Sequence, residues 1–208
     1  MRNYLLRLGW SHGDAEIIST DNAVAWFDLD AVGRAPARFD FAKLDSLNGH
    51  YIRDADDRRL AALVADRIDE ETGRPMSDDH RARLLQAMPE LKLRPKTLSE
   101  LSENAGFLVA TRPLRPNPAA AKLLTREARK LLGELYLRLT RVEWRPEELE
   151  ECVRAVAAEA GLALGAVAQP LRAALTGAAA SPGIFFVMAV LGREETLARI
   201  SDAAADGG

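Results

Sequence analysis

Apolar residues in this chain recur at the spacing of an α-helix, and cap or turn signals separate one apolar stretch from the next. After Pro146, four glutamates accompany the start of an apolar stripe that ends before Gly161. Proline at the first helical position, carboxylates near the helix N-terminus and glycine beyond the C-terminus all favour a helix. The same pattern predicts helices over 57–71 and 120–140. Strand-like alternation is almost absent, with one short extended piece near 27–29, so the predicted fold class is all-α.

Breaks in the helical pattern divide the 208 residues into three modules. A Thr-Gly-Arg-Pro sequence at 72–75 separates one predicted helix from the next, and 140–145 precedes the last helical group. The predicted modules are 1–70, 71–141 and 142–208. A further helix is predicted to open at Ser181-Pro182 and to close at Gly192.

Charge is distributed unevenly along the chain. The whole sequence has 28 basic and 31 acidic residues, a formal net charge of −3, which argues against a generally basic surface for nonspecific nucleic-acid binding. The segment 112–145 nevertheless holds nine basic residues and only three acidic ones. Two interpretations of this segment are open: a solvated helix face, or a face that contacts phosphates.

The residue types that usually carry catalysis or metal binding are sparse here. The single cysteine, Cys152, lies on an apolar stripe, which predicts a buried thiol and excludes a disulfide framework within the chain. Three scattered histidines (His12, His50 and His80) lack metal-ligand spacing, so no metal site is predicted. No phosphate-binding glycine motif and no signal peptide is recognisable, and we expect a cytoplasmic protein without a membrane partner. These features alone indicate a helical binding or interaction module.

Four stretches are more specific than a periodic pattern. They read LLRLGWS at 5–11, LNGHYIR at 47–53, GAVAQPLRAALTG at 165–177 and SPGIF at 181–185. In this order they resemble bacterial glutamyl-tRNA synthetase, in the part of that enzyme that follows its catalytic domain. The resemblance covers essentially the whole chain.

The resemblance implies a fold and a set of partners. It implies a multihelical stem-contact region over 1–70 and two helical anticodon-binding subdomains over 71–141 and 142–208, which together form an α-helix cage. It implies that the partners are tRNA(Glu) and the catalytic domain of the same enzyme, and that the protein is a monomer.

The family is a class I ligase of protein biosynthesis that uses ATP and Mg²⁺ to attach glutamate to tRNA. Its HIGH-type and K-[LM]-S-K-R motifs do not occur in this sequence. We therefore expect no catalytic residue and no bound cofactor in this chain, and no aminoacylation by the chain alone.

The resemblance also assigns anticodon-binding residues. Arg94, at the start of RPKTL, matches an arginine that reads the third anticodon base and separates glutamate from glutamine tRNA. Arg172 matches an arginine that contacts the first part of the anticodon, and Gln169 lies one helical turn earlier. The matching loop residues are Ser181, Pro182 and Ile184. Simpler roles remain open: a surface arginine for Arg94, a helix N-cap for Ser181 and a core position for Ile184.

A second set of residues is assigned to the tRNA backbone or stem. Its members are His50, Arg53, Lys96, Arg126, Arg129 and Lys130. The loop 178–180 departs from the family, because three alanines stand where polar or basic residues are usual.

Two further hypotheses are kept. The chain could be a helical protein-interaction module that keeps the scaffold without binding tRNA. It could also be one half of a split synthetase that works with a separate catalytic chain.

Overall fold

Helices account for the regular structure of the chain, in a computed structural model that describes residues 1–33, 36 and 38–205. The α-helices are α1 Arg2–Leu6, α2 Thr20–Trp26, α3 Phe41–Asp54, α4 Asp57–Thr72, α5 Asp78–Leu91, α6 Leu98–Ala105, α7 Pro118–Ala121, α8 Arg126–Leu139, α9 Pro146–Glu159, α10 Leu164–Thr176 and α11 Ile184–Ala205. Two 3₁₀ turns cover Leu29–Ala31 and Gly106–Leu108. No strand occurs among the described residues, and the predicted all-α class is confirmed.

Local cap chemistry explains where the helices begin and end. The Asp56 carboxylate accepts a hydrogen bond from the Arg59 amide at 2.9 Å and opens α4, and Gly73 closes it with a φ of 66°. The predicted single helix over 120–140 is wrong. The hydroxyl of Thr125 accepts from the Ala128 amide at 3.2 Å and starts α8 afresh, so a short turn separates α7 from α8.

Two helical groups make up most of the fold. The first helical group consists of α4, α5, α6 and the 3₁₀ turn Gly106–Leu108, and the second consists of α7 to α11. The groups meet where α5 contacts α11 and where α10 contacts the 3₁₀ turn. One continuous core therefore runs through both. Fully buried leucines from both groups line it: Leu84, Leu101, Leu132, Leu135 and Leu171.

Helix α8 packs with the helices that follow it in sequence. Its most extensive contacts are with α11, and it also contacts α9 and α10. The module boundary between residues 141 and 142 stays a prediction. In the structure, α8 packs with the helices that follow that boundary.

Helix α11 is interrupted at Gly192, whose φ of 78° and ψ of 169° are not helical. The predicted stop at this glycine therefore has a physical basis, although the helix begins at Ile184 rather than at Ser181. Across the break, the buried Thr196 hydroxyl donates to the Met188 carbonyl at 3.4 Å. The second part of α11 then continues to Ala205.

The N-terminal region, α1 to α3, is held by a few specific contacts. The Tyr4 hydroxyl accepts from the Asp40 amide at 2.6 Å and donates to the Asp40 carbonyl at 3.0 Å, which fixes α1 against the start of α3. The extended piece predicted near 27–29 holds for Phe27 and Asp28, after which the 3₁₀ turn begins. Several large apolar side chains of the N-terminal region are exposed: Met1, Leu5, Val24, Leu29 and Phe41. Among the described residues, no helix is long and apolar enough to cross a membrane.

Two leucines of α8 offer a direct test of this packing. Leu135 is 0% exposed and Leu137 is 64% exposed. We expect Leu135→Ala to lower the free energy of unfolding by about 2–5 kcal/mol, because it leaves a cavity against α11. Leu137→Ala should change it by less than about 0.5 kcal/mol. Urea denaturation measures both, and equal effects would contradict the position of α8.

Candidate functional site

The segment that carries Arg94 connects α5 to α6 and is fixed at both sides. The Thr97 hydroxyl accepts from the Glu100 amide at 3.1 Å, and the Glu100 carboxylate accepts from the Lys96 amide at 2.8 Å. This reciprocal arrangement resembles a capping box and holds the chain just before α6. From α3, the Asn48 side-chain amide donates to the Lys96 carbonyl at 2.6 Å.

Helix α3 approaches this segment closely because Gly49 has no side chain. A Cβ at Gly49 would lie 3.4 Å from the Lys96 Cα, a tight contact. Pro95 is buried beneath the segment, whereas Arg94 is exposed. Residues 47–53 of α3 therefore pack against this segment through Asn48 and Gly49, and the Arg94 guanidinium stays accessible to a ligand.

Arg172 organises the loop between α10 and α11. Its Nη1 donates to the Ser181 hydroxyl at 2.6 Å, to the Ser181 carbonyl at 3.0 Å and to the Pro182 carbonyl at 2.9 Å. The Ser181 hydroxyl in turn donates to the Pro182 carbonyl at 2.8 Å. The half-buried guanidinium thus fixes the backbone of the loop, while its Nε is buried without a partner in the described part of the chain.

The loop begins at Gly177, which closes α10 in the left-handed region with a φ of 68°. The Gly177 carbonyl accepts from the Asn117 amide at 2.8 Å. A Cβ at Gly177 would lie 3.4 Å from the Arg115 carbonyl oxygen. The start of the loop is therefore packed against the segment that leads into α7.

Gly161 provides a matched control for Gly177, because its φ is also 68° but a Cβ there would meet nothing within 4 Å. We expect Gly161→Ala to cost about 1–2 kcal/mol, the cost of a left-handed alanine. Gly177→Ala should cost more, because the added methyl also presses on the Arg115 carbonyl. Thermal or urea unfolding of both variants measures the difference. Equal losses would show that the close approach is unimportant.

Arg94 and Arg172 come from different helical groups but lie near each other. The pKa of Arg172 is lowered, first by its burial and second by the positive charge of Arg94. Two guanidinium groups that repel one another form a surface that favours an oxygen-rich or anionic ligand. The structure therefore brings together the two arginines that the sequence assigned to one site.

The other predicted anticodon-binding residues have different surroundings. Ser181 and Pro182 lie in the loop held by Arg172, and the Ser181 hydroxyl does not cap α11 because the helix begins three residues later. Ile184 is 5% exposed, and its side chain packs in the core. Gln169 is exposed and lines a groove between α8 and α10 that also contains Lys122 and Lys130.

The residues assigned to the tRNA backbone or stem fall into two sets: exposed side chains, and side chains that bond within the fold. Arg53, Lys96, Arg126 and Lys130 are exposed. Arg129 is half-buried instead: its guanidinium donates to the Leu124 carbonyl at 3.1 Å and to the Ala203 carbonyl. His50 lies 3.4 Å from the Asp54 carboxylate. It lines a groove between α1 and α3 with Arg7, Arg38, Lys43 and Arg53.

The positive charge of 112–145 is partly neutralised by contacts within the fold. Three arginines of this segment pair with carboxylates: Arg112 with Glu195 and Asp202, Arg138 with Glu159, and Arg145 with Glu143 and Glu148. These side chains join helices and caps. They account for three of the nine basic residues of the segment without a ligand.

The described residues contain no group of three or more His, Cys, Asp or Glu side chains placed to hold a metal ion. Cys152 is 9% exposed, and burial raises the pKa of its thiol. A thiol with a raised pKa is a poor nucleophile. The prediction of a buried structural cysteine is confirmed.

Sequence reasoning missed the supporting residues of the site. Asn48 and Gly49 belong to a stretch that was recognised as a motif, but nothing in the pattern says that α3 holds the Arg94 segment. Arg199 lies in the second part of α11, and no sequence pattern predicted its burial.

A comparison with known families bears on this geometry. A family model described as the anticodon binding domain matches residues 59–204. The chain belongs to the anticodon-binding domain family. The match includes Arg94, Arg172 and the loop between α10 and α11, so both arginines lie within the family's domain.

Relatives of this anticodon-binding domain are glutamate–tRNA ligases, the enzymes also called glutamyl-tRNA synthetases. The chain is 59% identical to glutamate–tRNA ligase 2 of Rhodospirillum centenum over 98% of this chain and 44% of the relative. It is 55% identical to glutamate–tRNA ligase of Bradyrhizobium diazoefficiens over 99% of this chain and 45% of the relative. The chain thus spans less than half the length of these relatives, in their C-terminal part.

Solved structures give the same result. The chain is similar to a glutamate tRNA ligase from Elizabethkingia meningosepticum in complex with its amino acid, with a TM-score of 0.82 and 27% identity. That similarity covers 98% of this chain and 40% of the other. The family resemblance inferred from sequence is confirmed, and these similarities do not favour the protein-interaction alternative.

Proposed function

We propose that this anticodon-binding domain is the tRNA-recognising part of a glutamate–tRNA ligase and that it binds the anticodon of tRNA(Glu). The observation that carries the proposal is that the family match over residues 59–204 holds both the exposed Arg94 and the loop that Arg172 fixes by three hydrogen bonds. Family membership and the similarity to glutamate–tRNA ligases support the identity of the ligand.

Arg94 and Arg172 would act in different ways. The exposed Arg94 guanidinium can donate two parallel N–H bonds to the O2 and N3 edge of a cytosine, which a shorter side chain cannot do. Arg172 would act mainly through the loop, because its Nη1 is already bonded to Ser181 and Pro182. A fixed loop can receive bases that are splayed out of the anticodon stack.

The domain would supply binding and identity checking, while chemistry takes place elsewhere. We propose that the catalytic domain of the same enzyme binds ATP, Mg²⁺ and glutamate, and that the exposed apolar residues of the N-terminal region face that domain. Correct anticodon contacts would favour a docked state in which the acceptor end reaches the catalytic domain, so specificity arises from differential binding. A tRNA partner also supports a cytoplasmic location, and one chain would bind one tRNA as a monomer.

A titration of the purified chain with labelled tRNA(Glu) and tRNA(Gln) tests this function. We expect measurable binding of tRNA(Glu) at low salt and weaker binding of tRNA(Gln). Raising the salt should weaken both, with a slope in log K against log salt of about −0.7 for each single-strand phosphate contact. No binding of either tRNA at low salt would overturn the proposal and favour an interaction module.

A second measurement separates binding from catalysis. The purified chain, supplied with ATP, Mg²⁺, glutamate and tRNA(Glu), should form no glutamyl-tRNA. Glutamylation by the pure chain would contradict the assignment of the chemistry to another domain.

A further inference from the structure

Arg199 is a buried arginine at the junction of the two helical groups. It lies in the second part of α11, after the break at Gly192, and it is 2% exposed. Its Nη1 donates to the Phe107 carbonyl at 2.9 Å and to the Leu175 carbonyl at 2.6 Å. Phe107 belongs to the first helical group and Leu175 to the second, so one nitrogen links the two groups.

One carbonyl stands at the end of α10, the helix that carries Arg172, and the other stands just after α6, the helix into which the Arg94 segment leads. Leu175 is in the last turn of α10, one turn after Arg172, and Phe107 is in the 3₁₀ turn that follows α6. Arg94 lies just before α6. Carbonyls at helix ends lack partners within the helix and carry the negative end of the helix dipole, so a buried cation is well placed there.

The position of Arg199 is itself fixed by an ion-pair chain. Its Nε donates to one Glu195 oxygen at 2.6 Å. The Arg112 Nε lies 3.4 Å from the other Glu195 oxygen, and the Arg112 Nη1 lies 3.4 Å from Asp202. Arg112 belongs to the segment that connects the two helical groups. That segment is therefore tied to the same face of α11.

We propose that Arg199 is a positioning residue that sets the separation between Arg94 and the loop held by Arg172, and thereby the fit of the anticodon. The inference rests on the proposed function. Arg199 does not contact the RNA itself, since its side chain is buried. It acts by fixing the end of α10 relative to the 3₁₀ turn after α6, so that a base at Arg94 and a base at the loop 181–183 can be bound at the same time.

The variant Arg199→Lys separates this role from a loss of charge. A lysine ammonium lies about where the arginine Cζ lies, so the positive charge stays near Glu195. A single ammonium cannot reproduce the guanidinium fork, in which Nε bonds Glu195 while Nη1 bonds both carbonyls. Arg138→Lys is the matched control, because Arg138 is an exposed arginine of α8 that pairs with Glu159 of α9. Circular dichroism at low temperature confirms that each variant is folded before it is used.

The first measurement needs no RNA. Spin labels are attached at Glu90→Cys on α5 and Glu151→Cys on α9, two exposed positions, in a chain carrying Cys152→Ala. We expect Arg199→Lys to shift or broaden the distance distribution between the labels, and Arg138→Lys to leave it unchanged. An unchanged distribution in Arg199→Lys would overturn the positioning role.

The second measurement is the ratio of affinities for stem-loops that carry the glutamate and the glutamine anticodon. We expect Arg199→Lys to reduce this ratio about fivefold or more, the size of a typical coupling between sites. A variant that melts earlier but keeps the ratio would show that Arg199 only stabilises the fold. If the unmodified chain fails to bind either stem-loop, the proposed function is wrong, and the label distances still decide the role of Arg199.

Discussion

Replacing Arg94 with glutamine is expected to abolish most of the discrimination between the glutamate and glutamine anticodons. A bidentate contact to a base edge is worth about 1–3 kcal/mol of discrimination against the wrong base. A glutamine side chain is shorter, carries no charge and cannot present two parallel N–H groups from one guanidinium plane. The ratio of the two stem-loop affinities should therefore fall in Arg94→Gln toward unity.

The surroundings of Arg94 make this variant informative. The segment is held by Asn48 and by the Thr97 cap, neither of which involves the Arg94 side chain. The fold should therefore survive the change. Arg141→Gln removes the same charge from an exposed position in the turn after α8. This control should weaken both stem-loops equally, and an unchanged ratio in Arg94→Gln would remove Arg94 from base reading.

Replacing Arg172 with methionine is expected to weaken binding of both anticodons and to destabilise the protein. The change removes three hydrogen bonds from a charged donor to the loop, and it leaves the Ser181 and Pro182 carbonyls without that partner. Loss of hydrogen bonds to a charged group costs about 1.5–3 kcal/mol. The pKa of Arg172 is lowered by burial, so part of this loss is offset by the desolvation that methionine avoids.

Two measurements separate the effects of Arg172→Met. Urea denaturation reports the stability loss, and titration with each stem-loop at a temperature where the variant is folded reports binding. Arg154→Met is the control, since Arg154 is exposed on α9 and its one ion pair within residues 1–33, 36 and 38–205 is with Glu150, one turn away. It should change neither quantity. If Arg172→Met kept full affinity for both stem-loops, the loop would not be part of the binding surface.

The all-α fold class and the positions of most helices could be predicted from the sequence, because apolar periodicity and cap residues act locally. Gly73 and Gly161 end their helices with positive φ, as predicted. The helix predicted over 120–140 failed because periodicity continues through 122–125, while the Thr125 hydroxyl competes for the backbone and restarts the helix. Apolar spacing alone does not resolve such a competition.

Individual residues of the candidate site could be predicted from the sequence, but their arrangement in space could not. Motif resemblance pointed to Arg94 and Arg172, but their proximity depends on how α5, α10 and α11 pack, which no local pattern contains. Arg129 shows the converse case, and its assignment to the tRNA backbone stays a prediction. It belongs to a basic run, yet its guanidinium bonds to backbone carbonyls that are distant in sequence. Exposure, rather than residue type, separates a side chain free to meet a ligand from one engaged within the fold.

The continuous core shared by the two helical groups has a consequence for how the domain can be divided. Helix α8 buries Leu132, Leu135 and Leu139 against the helices that follow it, although it precedes the predicted boundary at 141 and 142. A cut at that boundary would expose these leucines on one piece and their partners on the other. Because α5 contacts α11 and α10 contacts the 3₁₀ turn Gly106–Leu108, the same core also joins the two groups, which should unfold in a single cooperative transition. Insertions that preserve the fold belong in exposed turns rather than between the predicted modules.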